Sequence, residues 1–200
     1  MNAAIDIGTG PFEHLVGVER REHLLGERAR EIPREDCERL QSTVDELLDL
    51  ARLQGGKLEL RRARVSVETL VQIATEPLLE TARAREISID IALDPFLPDV
   101  DIDPDRISVV IANLVSNAIR HSPKGMAVRI IGHASDQSVR IEVCDVGTGI
   151  AQEHRGHVFE KFYQVPGDAV GSSGLGLSIA REIIVAHGGE IGVDENPRAD

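Results

Sequence analysis

The chain has 200 residues, 42% hydrophobic and 28% charged, which fits a globular fold of one large domain or a small domain with an arm. A formal charge of -12 lacks the clustered cations that a nucleic-acid backbone requires, so no nucleic-acid partner is expected. Cys37 and Cys144 are too few and too far apart for a disulfide framework or a cysteine metal site, and only five residues are aromatic, so the core must be aliphatic.

The first ten residues are small and polar. Phe12 to about Arg30 reads as helix, broken at Ile32-Pro33-Arg34, because proline removes a donor and restricts its predecessor. From Glu35 to Gln54, Leu40, Val44, Leu47, Leu48 and Ala51 recur at three- and four-residue spacing, the pattern of a one-sided helix ended by Gly55-Gly56. Residues 1–56 are thus expected to form a helical hairpin. Alone it buries little, so it is expected to pair with a second copy in a four-helix homodimer.

The pattern then changes. Lys57 to Val67 reads as a strand, and Ser66 as the cap of a helix from Val67 to Ala84. Ile87, Ile89, Ile91 and Leu93 alternate with polar or small residues, as in a strand. Asp103-Pro104 reads as the N-cap and first residue of a helix that turns Ile107, Val110, Ile111, Leu114, Val115 and Ile119 inward. Met126 to Ala134 and Ser138 to Asp145 read as two strands joined at Ser135-Asp136, with Cys144 a small buried residue. A short helix over Glu153 to Phe162, a loop from Val165 to Ser173, a helix from Gly174 to His187 ended by Gly188-Gly189, and a last strand beginning at Glu190 to Val193 complete the series. His133, His154, His157 and His187 read as surface or turn residues. The expected class is α+β: a helical hairpin over 1–56, then an α/β sandwich over 57–200 whose mixed sheet carries helices on one face. No stretch is apolar enough to span a membrane and no signal peptide opens the chain. A cytoplasmic protein is expected, or the cytoplasmic part of a membrane-associated sensor.

Four segments within this second region carry chemistry. Asn113 and Asn117 lie four apart and so share one helix face among Ile, Val and Leu, although asparagine is a poor helix-interior residue. Their amide oxygens suit a hard cation bound with phosphates, and Arg120 and His121 follow one turn later, within reach of phosphate oxygens. Asp145 ends an apolar strand and is followed by Val-Gly147-Thr-Gly149-Ile150. A carboxylate there can accept an exocyclic amine of adenine, and the glycines admit a ring close to backbone. Ser173-Gly174-Leu175-Gly176-Leu177 opens a helix, whose free N–H groups suit an anion. It has neither the Gly-Lys-Ser/Thr of a Walker loop nor the strand and ribose acid of a Rossmann turn. Phe159, Phe162 and Tyr163 hold three of the five aromatics and either anchor a lid or simply pack. Each segment alone also reads as an ordinary capped helix or turn; the four in order, within about 65 residues, describe a nucleotide pocket.

These segments resemble the N, G1, F and G2 boxes of the catalytic core of sensor histidine kinases, whose Bergerat-type ATP fold is shared with gyrase-like ATPases. Val109 to His121 is similar to the N box, Asp145 to Ile150 to the G1 box, Val158 to Tyr163 to the F box, and Gly171 to Leu177 to the G2 box. Glu46 to Leu53 resembles the end of the dimerisation hairpin. The resemblance implies ATP and Mg²⁺ as cofactors and a response regulator as partner. It implies Asn117 as main metal ligand, with Asn113 assisting. Arg120 and His121 would touch phosphate or ribose, Asp145 would read adenine, and Gly147, Gly149 and Ile150 would shape the base pocket. Gly174 and Gly176 would line the phosphates under a lid of about Val165 to Ser173, with Ser173, Leu175, Leu177 and Phe162 also among the ATP-binding residues.

One departure stands out. The family's phospho-acceptor is a histidine followed by an acid, with proline five residues after the histidine. Counting back from Pro11 gives Asp6, and His14 and His23 each follow a glutamate instead of preceding one. No catalytic residue is assigned on this basis. The leading expectation is an ATP-dependent histidine kinase core, acting in trans or impaired. The alternative is a non-catalytic ATP-binding dimerisation module that regulates another kinase. A gyrase-type ATPase clamp would need a glutamate on the asparagine helix to activate water, and residues 104–122 contain none.

Overall fold

The computed structural model describes residues 59–134, 138–166 and 173–193, all within one compact unit, Thr43–Asp200. The expected hairpin over 1–56, Cys37, and Asp6, His14 and His23 lie outside the described residues.

Strand β1 (Ala63–Val65) leads into helix α1 (Val67–Thr75). The Ser66 hydroxyl accepts the Thr69 N–H at 3.2 Å, the N-cap expected from the sequence. The single helix expected over 67–84 is divided. A 3₁₀ turn, Glu76–Leu78, separates α1 from α2 (Leu79–Ala84). Pro77 is the reason: it has no N–H to donate and its ring crowds the carbonyl four residues back. The Thr75 hydroxyl adds to the break by donating to the Val71 carbonyl at 2.8 Å.

Strand β2 (Ser88–Leu93) runs parallel to β4 (Ala127–Ala134), which pairs antiparallel with β5 (Val139–Cys144). The order β2-β4-β5 is the expected mixed sheet. Ile89, Ile91 and Leu93 stand opposite Val128, Ile130 and Gly132, so all six face the same way. Val128 and Ile130 are fully buried, whereas Ile91 stays 46% exposed because β2 is the sheet's edge. Gly132 is glycine for a packing reason: a Cβ there would stand 2.6 Å from Leu93 Cδ2. Cys144, expected buried, is half-buried at the strand's end.

A second, two-stranded sheet was not expected. Strand β3 (Val100–Ile102) pairs antiparallel with β1. Three residues with Asp101 at the centre are too few for a periodicity to show. Helix α3 (Pro104–His121) begins where expected, with Asp103 as N-cap. Its face bearing Ile107, Ile111, Val115 and Ile119 packs into the core with Leu70 and Val71 of α1.

The short helix expected over 153–162 is a single turn, α4 (Gln152–Arg155), stopped at Gly156 and followed by turns through Phe162. Helix α5 (Gly176–Ala186) contributes Ile179, Ala180 and Ile183 to the core and contacts α3. It starts two residues later than expected, because Gly174 has φ +71°, outside the helical range. Its end is the expected glycine pair. The Gly188 N–H reaches the Val185 carbonyl and the Gly189 N–H the Ile184 carbonyl, which satisfies the last turn of the helix. Residues 190–193 are irregular instead of a strand, with no strand partner among the described residues, although Ile191 packs on the core.

Candidate functional site

Helix α3 is the beam on which the site is built, and its start is firmly tied. Asp103 is 5% exposed; its carboxylate accepts the Arg106 N–H at 3.2 Å and the Arg61 N–H at 2.9 Å. Its own N–H donates to His187 Nε2 at 3.0 Å, while His187 Nδ1 bonds the Ile183 carbonyl at 2.8 Å. Nδ1 must therefore carry the proton and Nε2 must be bare. His187, expected as a surface or turn residue, lies in the turn after α5, half-buried, and joins the start of α3 to the end of α5.

Further along α3, Asn113 and Asn117 are both half-buried. The Asn113 amide Nδ2 donates to the Gly176 carbonyl at 3.2 Å, so the asparagine helix meets the first residue of α5. The Asn117 Oδ1 accepts from the Arg120 guanidinium. The last turn of α3 meets the strand-end turn. At Gly147 a Cβ would lie 2.7 Å from the His121 carbonyl oxygen and 2.8 Å from Asp145 Oδ1, so only glycine allows this approach. Asp145 Oδ1 also accepts the Gly147 N–H at 2.8 Å, which fixes the carboxylate over its own turn. Gly149 has φ +69° and the Ile150 carbonyl accepts Arg155 Nε at 2.9 Å.

The aromatic segment joins the glycine-rich helix start. The Phe162 N–H donates to the Gly174 carbonyl at 2.9 Å, and both residues have positive φ, +65° and +71°. A Cβ on Gly174 would stand 2.7 Å from the Phe162 carbonyl carbon. The Phe162 ring is 63% exposed, so it does not pack; the Tyr163 side chain does. Its hydroxyl bonds His154 Nδ1 at 2.7 Å and its ring stacks on His157 at 5.5 Å, which makes these histidines local supports and not idle surface groups. Lys161 adds an ion pair to Glu182 of α5 at 2.6 Å.

The Ser173 hydroxyl accepts the Leu175 N–H at 3.1 Å, and Leu177 is half-buried. Leu175 was expected among the ATP-binding residues, but it is 0% exposed and belongs to the core, and its N–H is taken by Ser173. Of the expected lid, residues 167–172 lie outside the described residues. Sequence reasoning missed His187, His154, Arg155 and Ser122. His187 acts through a contact 84 residues away along the chain, and His154 and Arg155 through side-chain bonds within their own loop, none of which a periodicity announces.

The four segments thus meet in pairs around one end of α3. Residues 102–200 match the family of histidine kinase-, DNA gyrase B- and HSP90-like ATPases. Residues 102–200 place the chain in this family, and its relatives include proteins named as sensor kinases. The alginate biosynthesis sensor protein KinB of Pseudomonas aeruginosa is 36% identical over 163 residues, covering 82% of this chain and 27% of KinB. Full-length ShkA, solved in complex with AMPPNP, superposes with a TM-score of 0.69 at 31% identity, over 88% of this chain and 37% of ShkA. The catalytic domain of histidine kinase ThkA, nucleotide-free, gives 0.61 at 27% identity, over 68% of this chain and 89% of that domain. The chain therefore spans about a quarter of KinB's length. The described region has the fold of the histidine-kinase ATP-binding domain, and no described helix is long and apolar enough to cross a membrane.

Proposed function

We propose that the pocket at the end of α3 binds ATP with Mg²⁺ and serves a histidine kinase of a two-component pathway. The observation that carries this reading is the pairwise closure of the four segments: Asn113 on Gly176, His121 on Gly147, and Phe162 on Gly174. In it, Asp145 accepts the exocyclic amine of adenine, and Gly147 and Gly149 leave room for the ring beside Ile150. Gly174 and Gly176, at the start of α5, line the phosphates, with Arg120 and His121 at their side. Positioning and charge neutralisation are the main demands of phosphoryl transfer, and this donor set supplies them.

The residues also fit a magnesium ion. No cluster of three or more His, Cys, Asp or Glu suited to a metal occurs among the described residues, so most ligands would be phosphate oxygens and water, as Mg²⁺ prefers. Asn117, assisted by Asn113, would hold it, and it would neutralise phosphate charge. Asn117 Oδ1 accepts from Arg120, which sets that guanidinium beside the proposed metal ligand.

The natural partner of such a core is a response regulator, and residues 1–56 would provide a homodimer. A cytoplasmic location, alone or as part of a membrane-associated sensor, completes this reading. One sequence observation favours a second reading, a non-catalytic ATP-binding module that regulates another kinase: Asp6 stands where an acceptor histidine belongs. Incubation with γ-labelled ATP and Mg²⁺ separates the two. Acid-labile, base-stable protein label is expected of a kinase with its own acceptor. Binding of ATP without label, even with a response regulator and an acceptor domain added, contradicts the kinase reading and leaves the regulatory one.

A further inference from the structure

The described region leaves one buried side-chain polar atom without a hydrogen-bond partner, the hydroxyl of Ser122. Buried hydroxyls nearly always have one, so an orphan invites the question of what serves it. Ser122 caps the C-terminal end of α3, held extended by the following Pro123, with its N–H on the Ala118 carbonyl. It directly follows the peptide group whose oxygen crowds Gly147, at the same point that Asp145 Oδ1 crowds. Ser122 is therefore the next residue in the chain after the peptide group that packs against the Asp145–Gly147 turn.

We propose that Ser122 is a base-specificity residue: its hydroxyl, directly or through one water, hydrogen-bonds the edge of the purine that Asp145 also reads. The chemistry favours adenine. A carboxylate accepts and a hydroxyl donates, and the adenine edge offers the complement, an exocyclic amine donor next to a ring-nitrogen acceptor. Guanine presents the reverse, an oxygen acceptor next to a ring N–H donor, and meets Asp145 with a repulsive pair. Ser122 thus adds a second reading point where one carboxylate alone would discriminate less. This inference rests on the assignment of the pocket to ATP.

The test is calorimetric titration of the full chain with ATP, adenosine and GTP, for the native protein, Ser122→Ala and Ser122→Thr. Ser122→Ala is expected to weaken ATP and adenosine by the same factor, about fivefold to twentyfold, the weight of one hydrogen bond in a buried site. It should narrow the ATP-to-GTP ratio and leave the melting temperature of the ligand-free protein unchanged or higher. Ser122→Thr, which keeps the hydroxyl, should restore binding. Unchanged ATP affinity in Ser122→Ala would show the hydroxyl served by a resident water alone and overturn the proposal. Equal losses for ATP and GTP, a loss for ATP but not adenosine, or a lower ligand-free melting temperature would also overturn it. Failure of the native protein to bind ATP would instead overturn the functional reading beneath it.

Discussion

An added methyl at Gly174 would stand 2.7 Å from the Phe162 carbonyl carbon, and the residue already has φ +71°. At Gly176 the nearest atom to such a methyl is 3.6 Å away, in the Asn113 amide, an ordinary contact. The two glycines share one motif but carry unequal constraints. Gly174→Ala should lower stability by about 1–3 kcal/mol, the scale of a strained backbone, and weaken nucleotide binding by displacing Phe162. Gly176→Ala, inside a helix, should change stability by less than about 1 kcal/mol and toward gain, since alanine is the better helix former. Urea unfolding of both variants checks this; equal losses would contradict it. The sequence announces that glycines matter here but not which one is indispensable, because the answer depends on the backbone of Phe162, in a separate segment. Asp145 was legible as an acid at a strand end, and its hydrogen bond to Gly147 is local enough to follow from Asp-x-Gly. The orphan hydroxyl of Ser122 was not, since burial is a property of everything packed around it.

Helix α3 was the most legible element. Asp103-Pro104 marks its start, and the spacing of Ile107, Ile111, Val115 and Ile119 gives its buried face. What the sequence hides is the brace: Asp103 holds Arg61, Arg106 and, through its N–H, His187 at the far end of α5. Asp103→Ala removes the acceptor for two N–H groups and should cost about 2 kcal/mol, at the upper end for an N-cap. His187→Ala leaves the Asp103 N–H without its acceptor and should cost about 1–3 kcal/mol. Asp103→Ala keeps that N–H and its bond to His187, so the two losses should be close to additive. A double-mutant cycle by denaturant unfolding checks this, and an unchanged stability in His187→Ala would deny the brace. The elements that departed from expectation did so at identifiable residues. Pro77 divides a helix whose apolar pattern runs on, Gly156 shortens α4, and β3 exists only because β1 lies beside it.

At the scale of the whole molecule, the site is a closure of distant segments onto one helix, and its function depends on that closure more than on any single group. Asn117→Ala should remove the dependence of ATP affinity on Mg²⁺ while changing metal-free ADP binding little; titrations with and without Mg²⁺ check this, and a retained metal dependence would reassign the ligand. Such global convergence is what four short boxes in sequence order imply only through a family resemblance. Periodicity and composition by themselves place the boxes on a helix, a strand end and a helix start, and stop there. The structure supplies the contacts, Asn113 to Gly176 and His121 to Gly147, that bring these segments together. The central claim is that Asp145 reads adenine in this pocket, and calorimetric titration of ATP into the native chain and Asp145→Asn tests it most directly. Native binding, weakened by about 1–3 kcal/mol in the variant as for a mismatched buried polar group, is the predicted result. Equal affinity in both, or no binding by the native chain, would contradict it.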